Sequence, residues 1–109
     1  MHVTIHPRED WREIAVFELE SGRVDALDAF VARFEREVDH DGRCRVQSAR
    51  HSPDGYRWLE AHVDFRYGER RALRLASAFI GELDQASLPG YRLIAGREWM
   101  HLAAAAPLP

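Results

Sequence analysis

The residues best placed to do chemistry in this chain are Glu60, His62 and Asp64, spaced two apart, with Trp58 just before them. An imidazole flanked by carboxylates can move protons if it lies beside the reacting atom. His62 is therefore the candidate acid or base, and Asp64 its candidate partner. A second group is basic: Arg70, Arg71 and Arg74 crowd one short stretch, and Arg45 lies earlier. Forked guanidinium donors suit carboxylates and phosphates, so an anionic small molecule or an acidic partner is the ligand class these arginines favour. His101, near the C-terminal end, completes the candidate set of binding residues with Trp58 and Glu60.

The stretch YRWLEAHVDF, residues 56–65, has to position the first group. Leu59, Ala61, Val63 and Phe65 alternate strictly with Trp58, Glu60, His62 and Asp64. That period of two marks a strand with one face in a core and the other open. A Ser-Pro-Asp-Gly turn precedes it, so residues 44–51 pair with it as a hairpin. The apolar pattern places Cys44, Val46 and Ser48 on the inner face opposite Leu59, Ala61 and Val63. A bulge at Gly55 would instead turn Arg45 and Gln47 inward, against that pattern.

The remaining elements follow from periodicity. Residues 12–20, REIAVFELE, carry apolar side chains on both faces, the mark of a central strand, with Ile14 and Val16 on the open side. After Ser21-Gly22, a helix to about residue 39 presents Leu27, Phe30, Val31, Phe34 and Val38 as one stripe. A second helix over 69–85 presents Ala72, Leu75, Ala76, Phe79, Ile80 and Leu83. It carries Arg70, Arg71 and Arg74 in its first two turns, where the helix dipole disfavours cations by about 0.3–1 kcal/mol each. Leu88-Pro89-Gly90 stops it, and residues 91–102 read as the last strand, bulged at Gly96. Residues 2–6 alternate briefly, and 103–109 read as a tail.

The order β-α-β-β-α-β points to one α+β domain over residues 1–102. Two helices cover one face of a four-stranded antiparallel sheet in the ferredoxin-like arrangement, with the first strand central. In that topology Arg45, His62, Asp64, His101 and the start of the second helix gather at one edge of the sheet, where a site is expected. The other end of the open face holds Ile14, Val16, Ala49, Tyr56, Trp58 and Trp99, an apolar patch of the kind that marks an interface.

Composition narrows the classes. The chain has 109 residues, 46% apolar and 30% charged, with a net charge of −3, which suits one globular domain and gives no global field for nucleic acid or an anionic membrane. All fifteen basic residues are arginine and asparagine is absent, which points to a high-GC bacterial genome. One cysteine, Cys44, excludes an internal disulfide. The opening MHVTIHPRED lacks an apolar signal core, no run is long enough to span a bilayer, and a cytoplasmic location is expected. No phosphate loop or base-stacking pattern is present, so no nucleic acid is expected.

No metal or cofactor is expected either. His62 and His101 would lie two strands apart, about 9.6 Å, with Ile14 or Val16 between them and no carboxylate at that level. The favoured function is a small accessory or regulatory domain that forms a homodimer, or binds a protein partner, through its open sheet face. The alternative is a cofactor-independent enzyme of the dimeric α+β barrel type, with His62 as acid or base and a pocket over that face.

Overall fold

The chain folds as its alternation requires. The computed structural model describes residues 10–51 and 54–101; the short strand expected at 2–6 and the tail at 103–109 lie outside them. The elements are β1 (Trp11–Glu20), a 3-10 turn (Ser21–Arg23), α1 (Val24–Glu37), β2 (Cys44–His51), β3 (Tyr56–Asp64), α2 (Glu69–Ala86), β4 (Arg92–Ala95) and a 3-10 helix (Arg97–His101). The sheet is antiparallel throughout, in the order β2-β3-β1-β4. With both helices against one face, this is the ferredoxin-like α+β arrangement. No helix among the described residues is long and apolar enough to cross a membrane.

The helices form because their stripes have something to bury. Phe30, Phe34 and Phe79 pack edge to face and stacked at the α1–α2 seam, with centroids 5.2–6.1 Å apart. Beneath them Phe17, Leu59, Ala61 and Val63 supply the inner face of the sheet, and Ala72 and Ala76 let α2 lie close to it. α1 ends one residue before Val38, which is exposed although its spacing continues the stripe. The chain turns there because Asp39 is buried and its carboxylate accepts the backbone N–H groups of Arg43 (2.8 Å) and Cys44 (2.9 Å). One side chain thus satisfies the donors that lead into β2.

Strand register positions the open face. Cys44, Val46 and Ser48 face Val63, Ala61 and Leu59, as the pattern requires, and the extra residue of the hairpin is taken up at Ala49 rather than at Gly55. Arg45 and Gln47 therefore stay on the open side, opposite His62 and Glu60. β1 contains a second bulge, which the sequence pattern did not indicate. Glu13 pairs with His62 and Ala15 with Ala61, so Ile14 is the extra residue. A bulge bends the strand and re-aims the side chains beyond it. Ile14, expected on the open face, is 1% exposed and belongs to the core.

Gly96 holds this bulge from the β4 side. A Cβ at Gly96 would collide with the carbonyl oxygen of Ile14 and stand 2.9 Å from the Cα of Ala15, and its φ of +117° is a conformation L side chains rarely adopt. The chain leaves the sheet at this point, so β4 is only four residues long and does not continue to 102. The following 3-10 helix packs on α2, where the Ser77 hydroxyl donates to the Met100 carbonyl at 2.9 Å. Trp99 meets Phe65 edge-on, with centroids 6.1 Å apart, instead of joining the open face. His101 ends the 3-10 helix and occupies no strand.

A Gly96→Ala substitution is expected to destabilise the domain by at least about 3 kcal/mol, from backbone collision and positive φ together. Gly22→Ala, where an added Cβ meets nothing within 4 Å, is expected to change stability by no more than about 0.5 kcal/mol. Urea denaturation of the two variants side by side measures the contrast.

Candidate functional site

Reading across the sheet gives the composition of the open face row by row. Glu20 stands beside Tyr56, Glu18 beside Trp58 and Arg92, Val16 beside Glu60 and Ala95, Glu13 beside His62, and Trp11 beside Asp64. β2 adds Gln47 beside Glu60 and Arg45 beside His62. No helix or strand among the described residues lies over these side chains.

The face is more polar than its sequence suggests. Ile14 has turned into the core and Trp99 has left with the 3-10 helix, so Val16, Tyr56 and Trp58 remain of the expected patch, with Trp11 and Ala95 added by the register; the side chain of Ala49 lies outside the described ones. Charges of both signs occupy the rest. Glu18 and Arg92 form a 2.8 Å ion pair across β1 and β4.

The bulge at Ile14 makes the site. The unbulged phase would put Ile14 at the level of His62, leaving no carboxylate there; the observed register puts Glu13 there instead. One donor atom each from Glu13, Glu60 and His62 falls within 4.8 Å of the other two. His62 Nε2 is 3.5 Å from Glu60 Oε1, and both side chains are largely covered. Arg45, which faces His62 by register, leans away, with its guanidinium carbon 5.1 Å from the Trp11 ring centroid. That is cation–π distance. An imidazole, two carboxylates and an arginine over an aromatic ring thus share one small area. Such an arrangement can transfer a proton, hold an anion at Arg45, or hold a cation between the carboxylates.

Asp64, the expected catalytic partner of His62, has a different role. It is fully buried, and Arg43 (2.8 Å) and Arg66 (2.9 and 3.0 Å) donate to its oxygens, along with the Arg66 backbone N–H at 2.9 Å. The hydrogen bonds from Arg66 and Arg43 hold its carboxyl far below the usual carboxylate range, against the opposing effect of burial. An acid with every oxygen committed in this way ties the end of β3 to the turns around it. Glu60, not Asp64, is the carboxylate that touches His62.

The arginine cluster also separates from His62. Arg71 and Arg74 line an open groove of about 530 Å³ with Val38, Tyr67 and Leu75 on the helical side of the domain. Arg70 is exposed at the start of α2, whose N-cap is Gly68 without a capping side chain. Asp64 is committed to Arg43 and Arg66, so it does not serve as the partner of these three. Of the expected site residues, the structure brings Arg45, Glu60 and His62 together, with Trp58 on the same strand. Arg70, Arg71 and Arg74 lie elsewhere. Glu13 and Trp11 were not legible as site residues, because only the bulge carries Glu13 to His62. Cys44 is buried, and burial followed by Asp39 and Glu35 pushes its thiol far up, so it offers no nucleophile.

No protein-family model, no curated protein and no solved structure matches this chain.

The Asp64 pairing has a pH signature. Its folded pKa is lowered, so its contribution is fully present above the unfolded value of about 3.9 and is lost as pH falls through the folded one. Asp64→Asn is expected to cost about 3 kcal/mol at neutral pH, as for a broken buried ion pair. The gap to wild type should narrow as pH falls below about 4. Urea denaturation from pH 7 down to pH 3 follows both effects.

Proposed function

We propose that this domain is a small cytoplasmic accessory or regulatory module that self-associates, sheet against sheet, through its open face. The observation that carries the proposal is the asymmetry of the sheet. One face is sealed by two helices, while the other presents Trp11, Val16, Tyr56 and Trp58 half-buried, with no helix packed on that side among the described residues. A half-covered aromatic and aliphatic strip of this kind marks an association surface.

Charge layout favours a second copy as the partner. The acidic residues Glu13, Glu18 and Glu60 lie on the central strands β1 and β3, while Arg45 and Arg92 lie on the outer strands β2 and β4. Two such faces packed about a two-fold axis that runs along β3 would set β2 of one copy, with Arg45, over β1 of the other, with Glu13 and Glu18. A two-fold interface needs this kind of self-complementarity.

The contact between His62 and Glu60 supports a second reading, a cofactor-independent enzyme. There His62 moves the proton, Glu60 orients its ring and Arg45 binds an anionic substrate. Thermal-shift screening against small carboxylates and phosphates tests it. A ligand whose stabilisation disappears in both Arg45→Ala and His62→Ala favours the enzyme; no such ligand leaves the association module standing.

Sedimentation equilibrium tests the module directly. Wild type is expected to show a concentration-dependent dimer. Val16→Asp, at the centre of the face, is expected to be monomeric with unchanged circular dichroism. A wild-type chain that stays monomeric at high concentration would overturn self-association.

A further inference from the structure

Among the described residues, two carboxylates on the open face differ from the others in having no arginine partner. Asp64 has Arg43 and Arg66, Glu18 has Arg92, and Glu20 has Arg23 at 3.8 Å. Among the described residues no arginine pairs with Glu13 or Glu60, although the chain has fifteen arginines and Arg45 stands in the adjacent strand. The guanidinium of Arg45 is drawn instead to Trp11. What the two carboxylates share is a histidine, and all three donor atoms fall within 4.8 Å of one another.

We infer that Glu13, Glu60 and His62 form a binding site for a divalent transition-metal ion, with Zn²⁺ the best match. The donor set is one imidazole nitrogen and two carboxylate oxygens, which suits zinc better than the all-oxygen preference of magnesium or calcium. Around a tetrahedral ion with bonds of about 2.0–2.2 Å, donors stand about 3.4 Å apart. His62 and Glu60 already stand 3.5 Å apart. Glu13 is exposed and can rotate in from the neighbouring strand.

The site draws on two adjacent strands in fixed register, so its geometry is set by the sheet rather than by a loop. It faces outward, which leaves the remaining coordination positions to water or to a ligand. An ion there would neutralise the charge that Arg45 leaves unmatched. The inference is independent of self-association, because all three ligands come from one chain.

Isothermal titration with ZnCl₂ alone, in chelator-treated buffer, tests it. Wild type is expected to bind one ion saturably. Glu13→Gln and His62→Ala are each expected to weaken that binding more than about tenfold, since loss of a group merely behind a ligand already costs that much. His40→Ala, a histidine in the loop before β2, is the control and is expected to bind as wild type does. Glu13 is exposed and its amide is isosteric, so that variant remains informative if His62→Ala unfolds. Binding of one ion per chain, measured at a concentration where sedimentation shows the monomer, separates this result from any failure to dimerise. No saturable binding to wild type, or equal binding by wild type and Glu13→Gln, would overturn the site.

Discussion

The close approach of the Gly96 backbone to the β1 bulge at Ile14 is the constraint on which the open face depends. Because Gly96 has no side chain, β4 can end against the carbonyl of Ile14 at a φ of +117°. The bulge in turn sends Ile14 into the core and shifts everything N-terminal to it by one pairing position. Glu13 arrives beside His62 as a result. The same glycine releases the chain from the sheet, so that Trp99 and Met100 pack over Phe65 and α2. One backbone contact therefore decides the composition of the site and the length of the edge strand.

Electrostatics then divides the polar residues into two kinds. Asp64 and Asp39 are buried acids that serve the fold: the first gathers Arg43 and Arg66, and the second closes the turn into β2. Their neighbours satisfy their oxygens, as buried polar groups require. Glu13, Glu60 and His62 satisfy one another incompletely and face outward. That difference, more than residue type, separates structural carboxylates from those available to a ligand.

Much of this was legible in the sequence. The alternation of 56–65 and the stripes Leu27–Phe30–Phe34 and Leu75–Phe79–Leu83 fix element type, because burial of one face imposes their period. That Cys44, Val46 and Ser48 share the inner face with Leu59, Ala61 and Val63 followed from the turn and the apolar pattern together. The bulge did not show, because residues 14–17, Ile-Ala-Val-Phe, are apolar in either phase and no pattern distinguishes them. Gly96 was visible only as an interruption, since close approach to another backbone leaves no mark in local sequence. Asp64 read as a partner of His62 because two-residue spacing implies a shared face. The arginines that claim it come from Arg43, twenty-one positions away, and from Arg66.

Cross-strand NOEs between β1 and β3 test most directly whether the bulge places Glu13 beside His62. Contacts from Glu13 to His62 and from Ala15 to Ala61, with Ile14 showing contacts to core side chains, are expected. Contacts that instead pair Ile14 with His62 would show an unbulged strand, and would remove the carboxylate on which the site is built.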